Sequence, residues 1–201
     1  MATDWSEFHL RHPRWVAFVR FGKCMRTKVA VLLVVLCMVE DAYSGERPYD
    51  LDAGGVPVVL GLLLIAGGIV LRMAAHGELR KKQALATQGV YSLCRHPLYL
   101  GSISLASGFC VLSNDLDNFL VMGAYFAAFY PLTIVWEEIR LAERYGAEFQ
   151  EYKARTPLFL PLGHWDRGRF LWRQALGNGG VQLIALTVVL LSVIEIMAES
   201  L

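Results

Sequence analysis

The stretch Gly89-Val90-Tyr91-Ser92-Leu93-Cys94-Arg95-His96-Pro97-Leu98-Tyr99-Leu100-Gly101 places a basic, ring-bearing cluster directly before an apolar segment. Further along the chain, the pair Glu137-Glu138 closes another apolar segment. Pro97 suits the first turn of a helix, where its missing backbone N–H costs little. The two residues before it then lie beside unpaired helix N–H groups, which attract anions. If the two segments are neighbouring membrane helices, both polar clusters lie at one membrane face and form one site.

Membrane helices are expected from the composition. The chain has 201 residues, of which 55% are hydrophobic, more than is usual for a soluble domain. A helix needs about 20 mostly apolar residues to cross a bilayer. Four uncharged stretches approach that length, at 54–71, 97–114, 118–136 and 174–194. A fifth, at 29–39, is shorter, and its flanking charged side chains would have to snorkel to the interfaces.

The basic residues decide the topology. With five spans, all of the 19 Lys and Arg residues except Arg47 fall on one face, in the segments 1–28, 72–95 and 140–173. The positive-inside rule makes this face cytoplasmic. We therefore predict an all-α integral membrane protein with five transmembrane helices, a cytoplasmic N-terminus and a C-terminus on the opposite side. The same bias accounts for the basic face, so no nucleic-acid partner is expected.

Four regions follow from this topology. Residues 1–27 form a cytoplasmic amphipathic segment, and 28–75 form the first two transmembrane helices. Residues 76–162 form a core made of a cytoplasmic loop, a helical hairpin and a tail. Residues 163–201 form a basic linker and a fifth helix, which is a candidate contact for a homo-oligomer. Within the core, Gly101, Ser104 and Gly108 lie at helical spacing and favour close helix packing.

Several chemistries find no support in the sequence. The His residues show no paired spacing, so no metal site is predicted. A glycine-rich phosphate loop is absent. The four cysteines form no Cys-x-x-Cys pair and are interpreted as reduced. Cys94 follows as a minor candidate for a catalytic thiol, because the neighbouring Arg95 would lower its pKa.

The polar groups of the two clusters predict a mixed site. Arg95 is a fixed cation, and His96 donates or accepts a proton near neutral pH. Tyr91 and Tyr99 offer aromatic rings and hydroxyls. A site of this kind suits a zwitterionic, aromatic ligand.

The two carboxylates have separate roles in this interpretation. Neighbouring helical residues point about 100° apart, so Glu137 and Glu138 do not form an acid dyad. One faces the site while the other pairs locally, and Arg140 is a helical neighbour of Glu137 at i+3.

These motifs resemble the isoprenylcysteine carboxyl methyltransferase family, which belongs with the phospholipid methyltransferases. The resemblance covers about residues 76–162. It rests on Gly89-x-Tyr91, Arg95-His96-Pro97-x-Tyr99-x-Gly101, Glu137-Glu138, Tyr145-Gly146, Tyr152 and the prolines at 157 and 161. It implies an integral-membrane enzyme that uses S-adenosylmethionine and acts on a lipophilic acceptor from the bilayer.

The resemblance also implies roles for individual residues. The cofactor contacts would be Gln83, Leu85, Ala86, Tyr91, His96, Pro97, Leu98, Tyr99 and Glu137. The candidate catalytic residues are Arg95, His96 and Glu138, and the candidate acceptor contacts are Thr133 and Arg140. The eukaryotic enzymes carry an acceptor-binding Arg where this chain has Thr133. A prenylcysteine carboxylate is therefore not the expected acceptor.

Two other functions remain open from the sequence. Sterol reductases carry a related Arg-His-Pro and Glu region and bind NADPH, although they are longer. A non-catalytic relative would act as a lipid-binding scaffold, and an intact His96, Tyr99 and Glu137 argue against that alternative.

Overall fold

The computed structural model describes residues 13–45, 47–49, 51, 54–79 and 84–200, and this part is made of helices and connecting segments without a β-strand. The helices are α1 (Pro13–Ser44), α2 (Val56–Glu78), α3 (Val90–Leu93), α4 (Pro97–Ser113), α5 (Leu116–Tyr145), α6 (Ala147–Arg155), α7 (Trp172–Ala175) and α8 (Val181–Ser200). A π-type turn, Leu176–Gly180, joins α7 to α8. The predicted all-α class is confirmed for these residues.

Three helical stretches in the described residues are long and apolar enough to cross a membrane: Val56–Glu78, Leu116–Tyr145 and Trp172–Glu199. They contain the predicted spans at 54–71, 118–136 and 174–194 almost completely. The predicted span at 97–114 corresponds to α4, an apolar helix of 17 residues. The predicted span at 29–39 lies inside α1, which runs through the expected boundary at residue 27 because no proline interrupts it.

Helices α2 and α4 pack closely along their length through paired glycines. A Cβ added to Gly68 would meet the Gly101 carbonyl oxygen at 2.7 Å, and one added to Gly108 would meet the Gly61 carbonyl oxygen at 2.6 Å. Ser104 Oγ donates a hydrogen bond of 2.8 Å to the Leu64 carbonyl oxygen. The predicted role of the small residues of α4 in close packing is confirmed, and the partner helix is α2.

We expect the Gly68→Ala substitution to destabilise the protein by about 1–3 kcal/mol, the usual effect of overpacking. The new methyl group would lie 2.7 Å from the Gly101 oxygen and 2.8 Å from the Leu105 backbone nitrogen, neither of which can rotate away. Gly67→Ala is the matched control, because the nearest atom to its methyl group, Ser104 Oγ, is 4.0 Å away. Thermal unfolding in detergent measures both variants. Equal stability of the two would contradict this packing.

A tight turn joins α4 to α5, as predicted. Asn114 adopts a left-handed conformation with φ 57°, which ends α4. The Asp115 carboxylate then caps α5 by accepting hydrogen bonds from the backbone N–H groups of Asp117, at 2.8 Å, and Asn118, at 3.2 Å. The Asn118 side-chain amide also donates to both carboxylate oxygens of Asp41 in α1. The turn therefore fixes α1, α4 and α5 together at the end away from Glu137.

The chain after α6 folds back over the segment 89–96. The backbone N–H of Arg95 donates to the Pro157 carbonyl at 2.9 Å, and that of Gly163 donates to the Leu93 carbonyl at 2.9 Å. The Gly89 N–H donates to the Asp166 carbonyl at 2.8 Å. These bonds hold the segment that precedes α4 in a fixed position beside α5.

Candidate active site

A cavity of about 1010 Å³ lies where the segment 84–96 meets the helix ends. Ten of the predicted site residues line it: Leu85, Ala86, Tyr91, Arg95, His96, Pro97, Leu98, Tyr99, Glu137 and Arg140. The structure therefore brings together residues from the loop, the start of α4 and the last third of α5. Gln83 lies outside the described residues.

Helices α1 and α2 form walls of the cavity that the sequence interpretation did not anticipate. Arg26, Thr27 and Ala30 line it from α1, and Arg72 and His76 line it from α2. The sequence interpretation considered a cleft between α4 and α5 alone. The sequence does contain one signal for the α2 wall, because Arg72 directly follows an apolar span. Ionisable side chains in membrane helices often mark functional sites.

The loop before α4 owes its shape to Gly89. This residue has φ 59°, a conformation that favours glycine, and any Cβ there would overlap the Glu78 carboxylate. The same carboxylate accepts a hydrogen bond of 2.8 Å from the Val90 N–H and so caps α3. This short helix places Tyr91 in the cavity wall, where its carbonyl accepts a hydrogen bond of 2.7 Å from the Tyr152 hydroxyl. Burial raises the pKa of Tyr91 well above its usual range, so its phenol remains protonated.

Arg95, which lines the cavity, and Glu138, which does not, form the centre of an ion-paired cluster. Arg95 Nε lies 2.9 Å from Glu138 Oε1, and Lys153 Nζ lies 2.6 Å from Glu138 Oε2. Arg95 Nη1 also donates to the carbonyl oxygens of Lys153, at 3.0 Å, and Thr156, at 2.7 Å. Arg95 therefore fixes the loop to α5 and to the end of α6. Glu138 does not line the cavity.

Glu137 is the carboxylate that faces the cavity, so the two glutamates divide their roles as predicted. Lys23 Nζ of α1 lies 3.6 Å from Glu137 Oε1, and the Tyr99 hydroxyl interacts with the same carboxylate. Arg140 pairs instead with Glu143 at 3.9 Å and lies 5.8 Å from the ring centre of Trp136. The expected local pair between Arg140 and a glutamate at i−3 is therefore not formed.

Aromatic rings continue the cavity wall from His96 towards the middle of α5. The His96 and Tyr99 rings stack with centroids 5.5 Å apart, and Tyr99 meets Tyr130 at 4.9 Å. His96 Nε2 lies 3.5 Å from Glu138 Oε1 without the geometry of a hydrogen bond. The guanidinium carbon of Arg26 lies 5.3 Å from the Tyr99 ring centre. This wall presents ring faces and cations close to the Glu137 carboxylate.

Two sequence interpretations change at this point. Thr133 is fully buried, and its hydroxyl donates to the Phe129 carbonyl at 2.8 Å, so its side chain does not line the cavity. Cys94 is 2% exposed, and burial raises the pKa of its thiol. The expected lowering of that pKa by Arg95 is wrong, because Arg95 is directed into its cluster with Glu138. A buried, protonated thiol is a poor nucleophile.

A separate acidic group lies at the N-terminal end of α5. Ligand oxygens of Glu40, Asp41 and Asp115 lie within 4.8 Å of one another. Asp115 caps α5, and Asp41 accepts the hydrogen bonds of Asn118, so both carboxylates have structural roles. This group shares no residue with the cavity.

A known family matches the segment that supplies most of the cavity residues. Residues 56–148 match the phospholipid methyltransferase family, so this segment is similar to the members of that family. The match confirms the resemblance stated from the motifs. It begins at α2, earlier than the motifs at 76–162 indicated, and ends within α6. The α2 residue Arg72, the paired glycines and the Glu137-Glu138 pair therefore all lie within the matched segment.

The individual relatives include two proteins named for metal resistance and several named as methyltransferases. The chain is 37% identical to the cobalt-zinc-cadmium resistance protein CzcN of Cupriavidus metallidurans over 55% of this chain and 55% of that protein. It is 34% identical to the nickel-cobalt-cadmium resistance protein NccN of Alcaligenes xylosoxydans xylosoxydans over 67% of this chain and 62% of that protein. It is 32% identical to the protein-S-isoprenylcysteine O-methyltransferase of Mus musculus over 51% of this chain and 40% of that protein.

The chain thus spans between about two fifths and three fifths of the length of these curated relatives. No solved structure matches it.

Proposed function

We propose that this protein transfers a methyl group from S-adenosylmethionine to a lipophilic acceptor at the cytoplasmic face of a membrane. One observation carries the proposal. The residues that the family resemblance assigns to the cofactor come from the loop, α4 and α5, and those in the described part of the chain line one cavity.

The cavity lining fits the cofactor chemically. The Glu137 carboxylate is suited to hold ribose hydroxyls or an amino group. The tyrosine rings in the cavity wall, Tyr91 and Tyr99, favour a sulfonium cation over a neutral thioether. Bound S-adenosylmethionine supplies an electrophilic methyl group on that sulfonium. Leu85, Ala86 and Leu98 contribute apolar surface, which excludes water from the reacting groups.

In this proposal the protein catalyses the reaction mainly by orienting the acceptor and the methyl donor. Alignment of an acceptor atom with the methyl group converts a bimolecular reaction into an effectively unimolecular one. Arg95 and Glu138 keep His96 and the loop in place through their ion pair at 2.9 Å. Arg140, at the cavity wall, is a candidate contact for the acceptor. An acceptor that reacts through a carboxylate or a thiolate needs no general base.

We further propose the five-span topology, with a cytoplasmic N-terminus and the C-terminus on the opposite side. The 17 residues of α4 extend about 26 Å at 1.5 Å per residue, close to the thickness of the hydrocarbon core. The 32 residues of α1 are long enough to cross with a further cytoplasmic extension. The cavity then opens on the basic face, where a soluble cofactor can reach it. The fifth helix is available for contact with lipids or with a second copy of the chain.

The alternative functions predict different ligands. A sterol-reductase-like enzyme would bind NADPH, and a scaffold would bind lipid without turnover. The match of residues 56–148 to the phospholipid methyltransferase family favours the methyltransferase over both alternatives.

Methyl transfer tests the proposal directly. Purified full-length protein in lipid nanodiscs is incubated with methyl-labelled S-adenosylmethionine and a total membrane lipid extract. We expect label in the lipid fraction with the native protein, and at least about tenfold less with Glu137→Ala, which loses a charge-assisted hydrogen bond. Transfer no greater than in protein-free nanodiscs would contradict the proposed activity. Label recovered in a prenylcysteine methyl ester would overturn the inference drawn from Thr133.

A further inference from the structure

Two arginines from different helices line the same cavity and are close enough to interact electrostatically. Arg26 comes from α1 and Arg72 from α2, and both are partly buried. Buried nitrogen atoms of both, Arg26 Nη1 and Arg72 Nε, have no hydrogen-bond partner. Within the described parts of the chain, neither side chain is within ion-pair distance of a carboxylate, although Lys23 and Lys153 both are.

The surrounding groups orient these arginines without neutralising them. Arg72 Nη1 donates to Ser102 Oγ and, at 3.4 Å, to the Leu98 carbonyl oxygen. The Tyr125 hydroxyl donates to the Arg26 carbonyl at 3.2 Å and so fixes that part of α1. All of these partners are neutral. Arg26 also interacts with the Tyr99 hydroxyl, and the Glu137 carboxylate attracts it from beyond ion-pair distance.

Such an arrangement is costly without an anion. Arg72 belongs to a helix that is apolar enough to span a membrane, where a cation is unfavourable unless it is paired. A second guanidinium beside it adds repulsion. The planar guanidinium forms two parallel hydrogen bonds to a carboxylate or a phosphate, so one acidic group would satisfy both side chains.

The position of Arg72 separates it from the cofactor end of the cavity. Arg72 lies near Tyr130, which is seven residues before Glu137 on α5 and therefore about 10 Å away along the helix axis. It also contacts Ser102, more than one helical turn into α4 from His96. Arg72 thus lies on the apolar side of Glu137, and Arg26 lies beside it at the Tyr99 ring, where the predicted cofactor residues begin.

We propose that Arg26 and Arg72 form an anion subsite that holds the acidic group of the acceptor, which is therefore an acidic amphiphile carrying a carboxylate or a phosphate. This inference rests on the proposed methyltransferase function and names the class of its lipophilic acceptor. Two cations, with no carboxylate of the described residues within ion-pair distance of either, select against lipids with a cationic head group.

Binding of matched amphiphiles tests the subsite. Radiolabelled hexadecanoate, hexadecyl phosphate and hexadecylamine share an alkyl chain length and differ in their head groups. Each is titrated into the purified full-length protein in a non-ionic detergent, together with the variants Arg26→Gln, Arg72→Gln and Arg72→Lys. Arg20→Gln is the matched control, because Arg20 is an exposed arginine of α1 that does not line the cavity. Binding of S-adenosylhomocysteine is measured on every variant.

We expect one or both acids to bind at least about tenfold more tightly than the amine. We expect each Gln variant to bind the acids about tenfold or more weakly than the native protein does. Arg72→Lys should retain part of the affinity for the acids, and Arg20→Gln should retain all of it. S-adenosylhomocysteine affinity should stay within about twofold, which also shows that the variants are folded. Whichever of the two acids binds more tightly shows whether the acceptor carries a carboxylate or a phosphate.

Three results would overturn the subsite. The first is equal binding of acid and amine, and the second is acid binding that the Gln variants leave unchanged. The third is a loss of S-adenosylhomocysteine affinity in the Gln variants as large as the loss of acid, since the arginines would then hold the cofactor. Failure of the native protein to bind S-adenosylhomocysteine, with selective acid binding intact, would refute the proposed function and not the anion subsite.

Discussion

Replacement of Glu138 by Gln should destabilise the protein by about 3 kcal/mol, because it removes the anion from a largely buried cluster of cations. The Glu138 side chain is 12% exposed, and it pairs with Arg95 at 2.9 Å and Lys153 at 2.6 Å. An amide keeps the shape but leaves both cations without their counter-charge. Because Arg95 also holds the loop against the end of α6, we expect the segment 89–96 to loosen first. Thermal unfolding in detergent, with hydrogen exchange of that segment, measures both effects.

Glu151→Gln is the matched control for this substitution. Glu151 pairs with Arg155 at 3.8 Å, and both side chains are more than 60% exposed. Exposed pairs of this kind contribute about 0–1 kcal/mol. Similar stability of Glu138→Gln and Glu151→Gln would show that the cluster does not hold the loop.

The neighbouring substitution Glu137→Gln should have a different effect, with little loss of stability and a large loss of cofactor affinity. Glu137 is about one third exposed, and its ion pair with Lys23 is long at 3.6 Å, so little stability depends on it. In the proposed complex its carboxylate accepts hydrogen bonds from the cofactor. A hydrogen bond to a charged group contributes about 1.5–3 kcal/mol, so we expect a loss of S-adenosylhomocysteine affinity on the order of 10- to 100-fold.

Calorimetry with S-adenosylhomocysteine measures this loss, and Glu151→Gln again serves as the control. The contrast between the two adjacent glutamates is the sharpest feature of the prediction. If Glu137→Gln bound as tightly as the native protein while Glu138→Gln remained folded and lost affinity, the assignment of roles within the pair would be reversed.

The sequence predicted features that depend on neighbouring residues better than features that depend on how distant segments meet. Local signals predicted well: Pro97 starts α4, and Gly101 and Gly108 pack closely against another helix. Each of these features depends on backbone conformation or on residue size within a few positions. Such signals can be recognised within a short stretch of sequence, without knowledge of the fold.

Features that depend on how distant segments meet were missed. The periodicity of α1 gives no indication that Arg26 lies over the Tyr99 ring, since α1 and α4 are far apart in the sequence. Likewise, the i+3 spacing of Arg140 suggested a pair with Glu137, whereas Arg140 pairs with Glu143. Adjacency of Cys94 and Arg95 suggested an activated thiol, but the Arg95 side chain is directed towards Glu138. Side-chain direction after folding decided each of these cases.

The central claim is that the cavity around Glu137 binds S-adenosylmethionine, and isothermal calorimetry of the purified native protein with S-adenosylhomocysteine and with NADPH tests it most directly. The proposed function predicts saturable binding of S-adenosylhomocysteine and no heat of binding with NADPH. Absence of S-adenosylhomocysteine binding at millimolar concentration, or saturable binding of NADPH in its place, would contradict it.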